Sequence, residues 1–156
     1  MTHDPTKAEK IIISTTNAIK YILQFGDDVI KKHKKDLIDE MLWKLTEANG
    51  KYTQTFISEG AKEKYPRYPL GVDSKEIRLE HVCTRDSLIE ELIANPQAID
   101  NILKKAIACI VTKEEHSRLP HDTKTCVGWE RYEKAGIRVY NTKTSVWVNL
   151  QSTHGG

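Results

Sequence analysis

Ile77-Arg78-Leu79-Glu80-His81-Val82 and Ile107-Ala108-Cys109-Ile110-Val111, the latter running into Thr112-Lys113-Glu114-Glu115-His116-Ser117-Arg118-Leu119, form the stretch whose reading decides the fold. The first segment alternates Ile77, Leu79 and His81 with Arg78, Glu80 and Val82, which predicts a strand with one face apolar. Regular alternation would send Glu80 and His81 to opposite faces, so the two can share a site only where the strand ends. The second segment is continuously apolar, as expected of a central strand. Thr112 and Glu115 then have the spacing of a capping box, opening a helix that carries His116 on its first turns and stops before Pro120. Between the strands, Asp86 is the expected N-cap of a helix over Ser87–Ala94. Asn95-Pro96 ends it and starts another, with Ile99, Ile102 and Leu103 as its buried face.

Outward from this stretch the chain reads as helical before it and as a hairpin after it. Ser14, Thr15 or Thr16 is the expected cap of a first helix reaching about Gln24, and Asp27 the cap of a second from about Asp28 to Ala48. The second has Val29, His33, Leu37, Met41 and Leu45 at four-residue spacing, an apolar stripe with His33 packed at its edge, and Asn49-Gly50 stops it. From Lys51 the pattern becomes irregular. Tyr52, Phe56 and Ile57 suggest a short piece, Ser58 can cap a turn, and Pro66, Pro69 and Gly71 enforce a loop. Tyr65, Arg67 and Tyr68 mix rings and cations there, a composition suited to nucleic acid or to an ordinary packed loop. Beyond a polar loop at 121–127, a helix over Trp129–Lys134 ends at Gly136. Ile137–Tyr140 and Ser145–Val148 then form a hairpin around Asn141-Thr142-Lys143-Thr144. The tail after Leu150 reads as disordered. The expectation is a single α+β domain over 1–156: a helical region at 1–50, an irregular connection at 51–76, a strand–strand–helix core at 77–120 with a helical insertion, and a short helix and hairpin at 128–150.

Composition excludes some classes. Charged residues are 29% of the chain, the apolar runs fall far short of the roughly 20 residues of a membrane span, and no signal peptide is visible. A net charge of +2 gives no bulk attraction to nucleic acid. Lys31, Lys32, Lys34 and Lys35, and Lys62, Lys64 and Arg67, form basic clusters that read first as solvated faces. Cys83, Cys109 and Cys126 are odd in number and lack a CxxC pair. They read as free thiols, buried at Cys83 and Cys109, and the expected compartment is reducing and cytoplasmic. No dinucleotide-binding or Walker glycine motif and no nucleophile elbow is present.

Hydrolysis of a phosphodiester needs an activated water, positive charge on the phosphate and a stabilised leaving oxygen. Neutral His takes a proton near pH 7, and a divalent cation held by an oxygen ligand and an imidazole serves the other two needs. Glu80, His81 and His116 are one oxygen ligand, one base and one imidazole. The segments Leu79–Arg85 and Val111–Leu119 resemble the HNH, or His-Me finger, endonucleases. More loosely, Trp43–Tyr52 and Gly128-Trp129-Glu130-Arg131-Tyr132 resemble flanks of small HNH-type proteins. The resemblance covers about a quarter of the chain in its specific part. It implies a ββα-metal finger in which Glu80 and His116 bind a divalent ion, Mg²⁺ first and Mn²⁺ next, and His81 is general base toward DNA. A restriction, phage or mobile-element role would fit it.

Two departures stand against the family pattern. Ile107 or Ala108 occupies the place of the middle Asn, with Asn101 in a predicted helix, and the insertion between the strands is long and helical. The alternative is therefore a non-catalytic nucleic-acid-binding or regulatory protein on a degenerate nuclease fold. Arg85 and Arg118 flank the pair and are candidates for substrate phosphate, or for ion pairs with Asp86 or Glu115. Cys109, His116, His121 and Cys126 have the residue types, though not the spacing, of a zinc site. An enzyme of this kind that cuts both strands would work as a two-fold homodimer.

Overall fold

One five-stranded sheet orders the computed structural model, which describes residues 5–120 and 128–148. The chain opens with a helical hairpin, α1 (Pro5–Leu23) against α2 (Lys31–Thr46). A short strand β1 (Phe56–Ser58) leads into α3 (Glu59–Lys64), and β2 (Ile77–His81) into α4 (Arg85–Ala94). A 3₁₀ turn at Pro96–Ala98 precedes α5 (Ile99–Leu103), then β3 (Ala108–Thr112) and α6 (Lys113–Arg118). The chain closes with α7 (Glu130–Lys134), β4 (Val139–Asn141) and β5 (Val146–Trp147). The class is α+β. In the order β2-β3-β1-β4-β5, β1 lies parallel to β3 and every other pairing is antiparallel.

That order makes β1 the joint of the molecule. The predicted strand pair and the predicted hairpin are not separate pieces, because Phe56–Ser58 pairs with β3 on one side and β4 on the other. Register sorts the side chains into two faces, since residues opposite one another across a ladder share a face. Leu79, Ile110, Ile57 and Tyr140 form one row, covered by Ala61 and Tyr65 from the α3 segment. Cys109, Val111, Phe56 and Val139 face the other way, toward Leu119, Trp129, Tyr132 and Ile137. A third cluster holds the helices together: Ile19 and Ile22 from α1, Ile38 and Leu42 from α2, Leu88, Ile89 and Leu92 from α4, and Ile99 and Ile102.

Several local expectations move. The first helix begins at Pro5, so Ile11–Ile13 lie inside it. Thr15 does not cap; its Oγ1 donates back to the carbonyls of Ile11 (2.8 Å) and Ile12 (3.1 Å), a bond that leaves the helix intact. The second helix starts at Lys31 behind Ile30, which offers no side-chain cap, while Gly26–Val29 closes a turn of its own. Thr84 rather than Asp86 caps α4, accepting from the Ser87 amide at 3.3 Å. The Thr112–Glu115 capping box is present with both of its bonds. Three lysines of α2 are engaged within the protein, Lys32 with Asp36, Lys34 with the Phe25 carbonyl and Lys35 with Glu90 of α4. Tyr65 is buried, and the Tyr68 hydroxyl donates to the Gln54 carbonyl at 3.1 Å and accepts from its amide at 2.6 Å, which makes that segment a packed loop. Burial pushes the Tyr68 phenol up to about 12.

Cys83 is disulfide-bonded, which corrects its reading as a free thiol; Cys109 is free and buried. The loop at 121–127 and the tail after Leu150 lie outside the described residues. No helix among the described residues is long and apolar enough to cross a membrane.

Candidate functional site

The end of β2 builds the site. The strand stays regular through His81, whose ladder partner is Ala108, while Glu80 pairs with Cys109. Glu80 and His81 therefore leave on opposite faces, and two different parts of the chain receive them. Glu80 meets α6 and α7. The capping box fixes the first turn of α6 on the end of β3, and this presents His116 back toward the neighbouring strand, where its Nδ1 donates to Glu80 Oε2 at 2.7 Å. The other oxygen, Oε1, accepts from Arg131 Nη2 at 3.1 Å. His81 meets α2: its Nε2 is 3.1 Å from Thr46 Oγ1, and its ring stands edge-on to Trp43 at 4.8 Å between centroids.

Although they diverge, Glu80, His81 and His116 line one cavity of about 320 Å³, together with Trp43, Leu79, Thr84, Arg85 and Asp86. The three groups named from the sequence are thus brought together, with different exposures. The His116 side chain is 49% exposed and that of Glu80 13%, while His81 keeps 6% of its surface. Burial, aided by the positive charge of Arg85, lowers the His81 imidazole to about 4. The ring is neutral throughout the physiological range and is a weaker base than free imidazole.

The two flanking arginines part company. Arg85 lines the cavity, stacks 4.3 Å from the Trp43 ring centre and pairs with Asp39 on α2 at 2.7 Å. Burial raises the Asp39 carboxyl, with Arg85 opposing the shift. Arg118 is not among the residues lining the cavity; it pairs with Glu114 at 2.6 Å and donates to the Ala135 carbonyl at 2.5 Å. Glu115, its other suggested partner, is buried among the Ser58 hydroxyl, the Gly60 amide and the Thr112 amide, where it pins α3 to α6. A wider cleft between α2 and α4 adjoins the site through Asp86, but Lys32, Lys35 and Asp39 within it are already in ion pairs.

Arg131 is the residue that sequence reasoning passed over. It is 4% exposed and donates to the carbonyls of His81 (3.0 Å), Val82 (3.3 Å) and Pro120 (2.9 Å) as well as to Glu80. One guanidinium thereby fixes the end of β2, the exit of α6 and the orientation of the carboxylate. Trp43, Thr46 and Arg131 all lie in segments noted above only as flanks. Their signal was a Trp and a Thr in the last turns of an amphipathic helix and an Arg inside a short, mostly charged one, patterns that packing and solvated surfaces also produce.

Among the described residues no three His, Cys, Asp or Glu side chains are grouped so as to hold a metal ion. The zinc alternative draws on His121 and Cys126, which lie outside the described residues. What remains is the donor pair Glu80 Oε2 and His116 Nδ1. Donors on adjacent vertices of an octahedral ion with bonds near 2.1 Å are about 3.0 Å apart. To hold an ion, the pair at 2.7 Å would have to give up its hydrogen bond and part slightly, with the His116 proton moved to Nε2 so that Nδ1 has a free lone pair. Arg131 behind Glu80 is the kind of partner that orients a metal-binding carboxylate. No protein-family model matches the chain, and no curated protein or solved structure matches it either.

Proposed function

We propose that this protein is a metal-dependent endonuclease of the HNH type, hydrolysing DNA phosphodiester bonds at the cavity at the end of β2. The observation that carries the reading is the meeting of Glu80 and His116, 36 positions apart, at 2.7 Å on the rim of the cavity that His81 also lines. The order of elements supports it, since antiparallel β2 and β3 followed directly by α6 is the strand–strand–helix arrangement of a ββα finger. In this reading Glu80 and His116 hold a divalent cation. Bound there, the ion would supply Lewis-acid charge to the scissile phosphate and its leaving oxygen. His81 accepts the proton of the attacking water, which its neutral state permits at any physiological pH. Arg85 contributes a guanidinium to a non-bridging phosphate oxygen, with Asp39 and Trp43 limiting its movement. Arg131 keeps Glu80 aimed while covering its second oxygen.

A second reading has an observation in its favour. Both Glu80 oxygens already have partners, and His81 is a weak base, as in a degenerate nuclease that binds nucleic acid or regulates without cutting. Incubation of plasmid DNA with the protein in Mg²⁺, Mn²⁺ or EDTA, beside His81→Ala and His116→Ala, separates the two. The nuclease reading expects nicking that needs the metal and is lost in both variants. DNA retained equally by all three proteins, with no cutting in any metal, sinks it and leaves the binding module.

A further inference from the structure

We infer that Thr46, at the last turn of α2, is the positioning residue that holds His81 as the Nε2–H tautomer and leaves the Nδ1 lone pair as the proton acceptor. The inference rests on the nuclease reading for its role in catalysis and on hydrogen-bond geometry for the rest. Thr46 Oγ1 has a single proton and three neighbours within reach: the Leu42 carbonyl at 3.1 Å, the Trp43 carbonyl at 3.1 Å and His81 Nε2 at 3.1 Å. Carbonyl oxygens only accept, so a hydroxyl proton turned toward the imidazole would leave oxygen lone pairs facing two carbonyls. With the proton on the helix carbonyls, Oγ1 presents only a lone pair to the ring. The ring must then donate, and Nε2 carries the hydrogen.

The neutral imidazole has one hydrogen, so Nδ1 is the basic nitrogen. Trp43, edge-on to the same ring, blocks its rotation from the side, and Gln54 Nε2 donates to the Thr46 carbonyl at 3.0 Å, holding the end of α2 in place. Ile107 and Ala108 carry no side-chain group that could orient an imidazole. The hydroxyl of a helix 35 positions upstream takes over that task. A threonine suits it because its back-bond to the helix fixes which way the hydroxyl proton points, which a free hydroxyl would not do.

The test uses the full chain labelled with ¹⁵N at histidine, as wild type, Thr46→Val and Thr46→Ser. Two-bond ¹H–¹⁵N spectra at neutral pH read the tautomer, and plasmid nicking is measured in parallel. The wild type and Thr46→Ser are expected to show a single Nε2–H form at His81. Thr46→Val, which keeps the shape without the oxygen, is expected to show a mixed or reversed tautomer and nicking reduced about 10–100-fold, the usual range for removing a group that orients an active residue. An unchanged His81 pattern in Thr46→Val overturns the inference, as does an altered pattern with undiminished nicking. If Thr46→Val fails to fold, an Nδ1–H pattern in the wild type or Thr46→Ser overturns it equally. A wild type that shows the Nε2–H form yet never cuts DNA removes the nuclease reading and leaves the tautomer assignment standing.

Discussion

Acidification should unfold this protein partly through one side chain. His81 is 6% exposed and titrates at about 4 in the folded chain, against 6.5 for an unperturbed imidazole. Folding holds the ring neutral, so between these two values the unfolded chain binds a proton that the native chain does not. The native advantage is complete above pH 6.5, declines as the pH falls through the window and is exhausted near 4. A depression of this size corresponds to about 3 kcal/mol. The perturbation is His81→Gln, which keeps a polar side chain and cannot titrate. Urea unfolding followed by circular dichroism at intervals from pH 7.5 to 4 gives the stability of each protein. The variant will be less stable at pH 7.5, where its fit is poorer, but the wild type should approach it on acidification, closing the gap by about 3 kcal/mol. Other carboxylates and histidines contribute equally to both curves and drop out of the difference. Parallel curves across the window would show that His81 is not held neutral by burial, and the account of the site as a dry imidazole against α2 would go with it.

Two further outcomes bear on the frame around the site. Arg131→Met removes the donors to three carbonyls and to Glu80 Oε1, leaving a nearly buried carboxylate with His116 alone. It is expected to cost about 3–5 kcal/mol in denaturant unfolding, and a loss below about 1 kcal/mol would contradict the role given to that guanidinium. Gly60→Ala would place a Cβ 2.8 Å from Glu115 Oε2 and 2.9 Å from its Cδ, so a cost of about 1–3 kcal/mol is expected. Repeating that substitution in a Glu115→Ala background should erase most of the cost, and equal penalties in the two backgrounds would place the strain elsewhere.

The α+β class and most of the elements were legible because they rest on short-range rules. The capping box at Thr112 and Glu115 and the Ser58 cap of α3 are local chemistry, while α2 ends at Thr46, before the expected stop, and Gly50, with a φ of 101°, closes the turn that follows. The errors fell where one rule had two solutions. Thr15 caps or bonds back into a helix with the same hydroxyl, and the turns before it, which bury Ala8, belong to the helix. The parallel pairing of β1 with β3 was not legible, since a three-residue strand carries no period and its register comes from partners far along the chain. For the same reason Glu80, His81 and His116 could be named from the sequence while their supports could not. Thr46, Trp43 and Arg131 reach the site only because α2 and α7 both pack at the C-terminal end of β2, one receiving His81 and the other Glu80.

Burial of His81 does not make it a better base. With a value of 6.5 the ring would already be mostly neutral at pH 7, so lowering it to about 4 adds little acceptor form while reducing the drive to take a proton. A buried base is therefore useful here only if orientation outweighs basicity, which is the condition that a fixed tautomer against Thr46 and an edge-packed ring against Trp43 would meet. In the nuclease reading, substrate would return part of the loss. A phosphodiester anion beside Arg85 would offset the cation that contributes to the depression and would leave the larger cause, desolvation, in place. In the nuclease reading, the acid limb of activity at low substrate should then follow the depressed imidazole of the free protein rather than an ordinary histidine. Replacing Arg85 with Gln should move that limb upward by only a fraction of the distance to 6.5.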